Sequence, residues 1–113
     1  MPQDRQLEEI NLTIEEAKKA IDLMKAYHRL ADNPDFKLLI GQAYFIDEAA
    51  EVVAKKVRLE YSDEANQSFL DKIIYGIGSL RLYFNKVHNM GVKAENALED
   101  HYETRNQIMQ EIQ

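Results

Sequence analysis

Apolar residues recur along two stretches of this chain at alternating intervals of three and four. The first runs Leu7, Ile10, Ile14, Ala17, Ile21, Met24, and the second runs Leu70, Ile73, Ile77, Leu80, Phe84, Val87. A seven-residue repeat keeps one narrow stripe on a single side of an α-helix, where another helix can lie against it. The first stripe continues at the same spacing through His28 and Ala31, and Ala20, Leu23, Tyr27 and Leu30 widen it. Such a chain is built to pack long helices, either within itself or between copies.

At 113 residues the chain is expected to form one domain, residues 1–113. Its 45% apolar and 30% charged residues argue against disorder, and four Gly with two Pro leave too little punctuation for an all-β fold. The absence of Cys excludes disulfides, thiolate metal sites and a cysteine nucleophile. A net charge of -6 argues against a duplex-nucleic-acid binder, which needs a basic face for its phosphate contacts. The one basic cluster, Lys55-Lys56-Val57-Arg58, is short, lies between Glu51 and Glu60, and reads as a solvated helix face. The first residues are polar, with no secretory h-region, and apolar runs such as Leu38-Leu39-Ile40 are far too short to span a bilayer.

Helix signals divide the chain further. A first helix is expected from Asp4 to Ala31. Asn33 then caps a new helix with Pro34 at its first position and Asp35 in its first turn. The second helix carries Phe36, Leu39, Ile40 and Ala43 and bends around Tyr44-Phe45-Ile46. A third, with Ala49, Ala50, Val53, Ala54 and Val57, runs to about Glu60; the two can equally be one kinked helix. Ser62 is the expected N-cap of a fourth helix reaching Asn89. Gly76 and Gly78 interrupt it, at about 1 kcal/mol each relative to alanine. Close backbone approach of a crossing helix is the expected reason, with a hinge or a ligand contact as the alternative. Asn89-Met90-Gly91 reads as a helix end. A last helix from Val92 to Glu111 then presents Ala94, Leu98, His101, Arg105, Ile108 and Ile112, with Arg105 marking a partly exposed edge or suited to an acidic partner across an interface. The expected fold is all-α: an elongated helical bundle or hairpin of four to five helices with heptad-like, coiled-coil seams.

Chemistry leaves little trace. A helical di-metal site wants Glu three residues before His, but Lys25, Asn85 and Leu98 precede His28, His88 and His101 at that spacing. Gly76-Ile77-Gly78 lacks the third glycine and the preceding strand of a phosphate loop. Ser62, Ser68 and Ser79 stand in no nucleophile elbow. No catalytic residue, cofactor or metal is therefore expected.

The stretches Asn33-Pro34-Asp35-Phe36-Lys37, Ala43-Tyr44-Phe45 and Glu48-Ala49-Ala50 resemble a family of small helical proteins of tailed bacteriophages. Ile77-Gly78-Ser79-Leu80-Arg81-Leu82-Tyr83-Phe84 and Gly91-Val92-Lys93-Ala94-Glu95 continue the likeness, which covers most of residues 33–110. The family offers no catalytic residues to carry over. The resemblance implies a viral protein of the host cytoplasm or the virion, serving assembly or interference with the host.

The leading expectation is a non-enzymatic, self-associating virion or assembly component, a homo-oligomer contacting its own copies or another phage protein. Its expected interface residues are Leu7, Ile10, Ile14, Ile21, Arg105, Ile108 and Ile112, although the N-terminal seam can also pair with the last helix of the same chain. One alternative is an inhibitor whose acidic surface occupies a basic groove of a host polymerase or defence factor. Another is a small-ligand, nucleotide-type binder at the Gly76/Gly78 crossing, using Lys72 and Arg81.

Overall fold

A computed structural model describes residues 2–112, all of them helix or short connector, with no strand among them. Helix α1 spans Pro2–Asp32. It ends where the sequence predicts. Asn33 is extended at φ -68° and ψ 126°, and its side-chain oxygen accepts from the Asp35 amide at 2.8 Å and the Phe36 amide at 3.3 Å. Pro34 follows at a position whose amide would find no partner in the helix.

The next two expected helices form one rod. A turn of α-helix, α2 (Pro34–Phe36), opens into a π-helix (Lys37–Glu48) and returns to α-helix in α3 (Ala49–Lys56). A π turn holds more residues than an α turn. Positions four apart (Phe36, Ile40, Tyr44, Glu48, Val52) therefore stay on the covered side. This corrects the face expected for the rod. Val52 is buried, whereas Val53 and Val57 point to solvent.

Arg58 is extended and leads into a single 3₁₀ turn, Leu59–Tyr61. Ser62 does not cap the following helix; its hydroxyl donates to the Leu59 carbonyl at 2.7 Å. Asp63 caps instead, with one carboxylate oxygen accepting from the Asn66 amide at 3.1 Å. Gln67 fastens the connector by donating to the carbonyls of Lys56 and Tyr61, at 3.1 and 2.8 Å.

Helix α4 spans Glu64–Ile112, 49 residues without a break. The expected end at Gly91 does not occur, and Gly91 has no positive φ. The three-four spacing explains why: it passes from Val87 through Gly91 to Ala94 without a slip, so glycine occupies a seam position. The long helical segments are thus three, α1, the rod and α4, rather than the four to five helices expected.

The chain packs as two compact units. In the first, residues up to Tyr27 pack against residues from Lys86 onward. Met24 lies beside Gly91, and Lys18 lies 6.0 Å from the Tyr102 ring centroid, so the two helices run antiparallel. Ile14, Ala17, Ile21 and Met24 form the buried core of this unit. A Cβ on Gly91 would overlap Met24 Cβ and stand 2.7 and 2.8 Å from its Sδ and Cγ. The second unit, His28–Asn85, sets the rod against the first half of α4 around buried Val52, Leu70 and Ile77. The end of this unit away from the 3₁₀ turn is closed by an aromatic cluster. Phe36 and Phe45 meet Phe84 edge-on at 5.7 and 6.2 Å between centroids.

Candidate interaction surface

The expected interface residues fall into different environments within the first unit. Ile14 and Ile21 are buried against α4, while Leu7, Ile10, Arg105 and Ile108 are half-buried. Ile112 is exposed. Ile10 and Ile108 line one open groove of about 500 Å³ together with Gln6, Thr13, Thr104 and Gln107. The Arg105 guanidinium lies 5.1 Å from the Tyr102 ring centroid, a cation–π distance. Its Nε is buried with no hydrogen-bond partner among the described residues. The aliphatic stem of Arg105 thus fills a seam position.

Neither Gly78 nor Gly76 marks a tight helix crossing. A Cβ on Gly78 would meet nothing within 4 Å, and one on Gly76 would meet only Tyr44 Oη at 3.8 Å, an ordinary contact. The close approach in this protein is at Gly91. Gly76 does border an open groove of about 580 Å³, lined by Glu64, Gln67, Ser68, Asp71, Lys72 and Tyr75. Arg81 stays away from that lining, with its guanidinium 5.8 Å from the Phe45 ring centroid.

The second unit carries a surface that periodicity alone did not single out. On the outer side of the rod stand Leu38, Ile46, Val53 and Val57, which are 68%, 52%, 57% and 87% exposed. Gln42 and Ala50, both exposed, complete the row at spacings of four, four, four, three and four. The wide π turn carries a four-residue step along one side. The α turns of α3 need the mixed three-four step. The same geometry that turns Val52 inward therefore turns Val53 and Val57 outward. The spacing-by-four of Phe36, Ile40, Tyr44, Glu48 and Val52 was the available sequence signal, and a strict α-helical reading passes over it.

Charged groups are spread along the rod. Lys37 stands at the start of the rod, Asp47 and Glu51 in its middle, and Lys55, Lys56 and Arg58 at its end. Gln42 donates to Asp47 Oδ1 at 2.9 Å. Glu51 pairs with Lys55 at 3.2 Å, and its carboxylate holds the Lys55 ammonium above the usual lysine range. Lys56 pairs with Asp71 of α4.

Among the described residues, no three His, Asp or Glu side chains gather as a metal site, and no helix is long and apolar enough to cross a membrane. Comparisons with protein-family models, with curated proteins and with solved structures find no match to this chain.

Proposed function

We propose that this protein is a non-enzymatic helical association module that acts through contact of its exposed rod face with another helix. The observation that carries the reading is the solvent-facing row of Leu38, Ile46, Val53 and Val57. Scattered apolar side chains are ordinary on a protein surface, but exposed apolar residues aligned along one side of a helix are a mark of an interaction site. The hairpin seam contributes less to this reading, because Ile14 and Ile21 are already covered within the chain. With the resemblance to small helical proteins of tailed bacteriophages, the setting we propose is virion structure or assembly.

Sedimentation analysis tests the reading. The native chain is expected to self-associate as its concentration rises through the micromolar range. The triple variant Ile46→Ser, Val53→Ser, Val57→Ser is expected to remain monomeric with unchanged helicity. A native chain that stays monomeric and is absent from purified virions overturns it.

A second reading, a small-ligand site, has one supporting observation: the open groove beside Gly76 with Lys72 in its lining. Glu64 and Asp71 share that lining and oppose a phosphate group. Thermal shift against a nucleotide panel decides it, and an unshifted melting curve for every member removes it.

A further inference from the structure

We propose that the rod has a second winding, a continuous α-helix, which turns its exposed apolar residues onto α4 and so withdraws the face described above. The device rests on the association reading for its purpose, while its physical test stands apart from that reading.

The rod carries a three-four repeat of its own: Phe36, Leu39, Ala43, Ile46, Ala50, Val53 and Val57. In an unbroken α-helix these residues share one side. Here they do not form the seam, because Leu39, Ile46, Ala50, Val53 and Val57 are all exposed. The π segment, Lys37–Glu48, gives the covered side to Ile40, Tyr44, Glu48 and Val52 instead. Such winding ordinarily appears as a single turn, often at functional sites. In this rod it extends over 12 residues. The facing stripe of α4, with Leu70, Ile73, Ile77, Leu80 and Phe84, keeps the three-four step. It therefore matches the repeat that the rod leaves outside, in the way that two α-helical seams match.

The two windings share their start. Phe36 belongs to both covered sets and meets Phe84 at 5.7 Å between centroids, so the first turn of the rod stays in place. Moving the covered line from Val52 to Val53 turns α3 by about 100°. Extended Arg58 and the 3₁₀ turn after it absorb that rotation before α4 begins. Each winding sets one carboxylate near the covered side, Glu48 in the present one and Asp47 in the other. One bond belongs to the present winding alone. Gln42 donates to Asp47, five residues on, at 2.9 Å. In an α-helix residues five apart stand about 140° from each other, and that bond is lost.

The chain has no cysteine, so single-cysteine variants report which side is covered. Val52 and Ile77 are both buried in this unit. Unfolding or detachment of the rod exposes both positions, whereas rewinding exposes 52 and leaves 77 covered. Val52→Cys is expected to react with a thiol reagent at least ~10-fold faster than that variant unfolds, and Ile77→Cys no faster than it unfolds. Val52→Gln penalises the present winding only. In its background Val57→Cys is expected to label at least ~10-fold more slowly than in the otherwise native chain, with helicity by circular dichroism unchanged. Gln42→Ala is expected to slow labelling at position 57 by a smaller factor.

Labelling limited by unfolding at both 52 and 77 overturns the second winding. So does a Val52→Gln chain that loses helicity or leaves position 57 as reactive as before. The rates are read on dilute protein, so a native chain that never associates overturns the association reading and leaves the winding to be decided by labelling.

Discussion

In the first unit the seam residues Ile14, Ala17, Ile21 and Met24 all lie buried against α4, and the helix opposite them supplies a glycine where space is shortest. In the second unit Val52, Leu70 and Ile77 are buried, while a row of four apolar side chains on the rod faces water. Both units consist of antiparallel helices with similar residue types. They differ in whether helical period and partner match. Two α-helices sharing a three-four repeat keep their stripes facing each other along the length they share. A rod that changes from π to α winding cannot follow one straight partner with all of its apolar residues, and the remainder forms a second face. The first unit thus buries the middle of its own seam, and the second leaves a row of apolar side chains on the rod exposed.

The sharpest way to break this contrast is to compare truncations in the two units. Ile14 is 1% exposed, so Ile14→Ala removes packed methyl groups and is expected to cost about 2–5 kcal/mol. Val57→Ala, at the most exposed position of the rod row, is expected to change stability by no more than about 0.5 kcal/mol. Thermal melts at low protein concentration give both values. Equal losses at the two positions would show that the rod row is core after all.

The glycines sharpen the comparison at the next level. Gly91→Ala gains helix propensity of about 1 kcal/mol. It also places a Cβ against Met24 Cβ, which cannot rotate away, and overpacking of that kind costs about 1–3 kcal/mol. A net loss is expected. Gly78→Ala meets open space and is expected to gain up to about 1 kcal/mol. Opposite signs at two mid-helix glycines of α4 would locate the close contact of the fold at Gly91.

That pair also shows how far sequence reading reached. The helices and the Asn33-Pro34 break were legible because each has a local cause: periodicity, a capping side chain, a proline. Asn33→Ala is accordingly expected to lower stability by about 1 kcal/mol, read as a shift in the denaturant midpoint. Gly91 was misread because a local rule, glycine as a helix end, was set above the repeat that runs unbroken from Leu70 to Ile112. Ser62 was misread for a related reason. Ser62 and Asp63 are both good caps, and only the closed 3₁₀ turn before them, which takes the Ser62 hydroxyl, decides between them. The outward row of the rod was hidden for a different reason. Which valine of Val52-Val53 faces in depends on the winding accumulated over the preceding π-helix, and an α-helical wheel assigns the wrong one.

The smallest effect expected concerns how the second unit's connector responds to acid. Asp63 accepts from the Asn66 side chain at 2.6 Å and from the Asn66 amide, and these bonds hold its carboxyl below the ordinary value of 3.8. A depressed folded-state value means that the unfolded chain binds the proton more readily. The contribution of Asp63 is therefore complete above about 3.8 and disappears as the pH falls through the lower folded value. Asp63→Ala is expected to lower the melting temperature slightly at neutral pH, with the gap to the native chain closing in strong acid. Ile14 carries no ionisable group, so Ile14→Ala is expected to keep its full gap over the same pH range wherever the native chain stays folded. A gap for Asp63→Ala that persists unchanged to about pH 2 would mean that the charge at position 63 does not hold the start of α4. The Gln67 bonds to Lys56 and Tyr61 would then be what secures the connector.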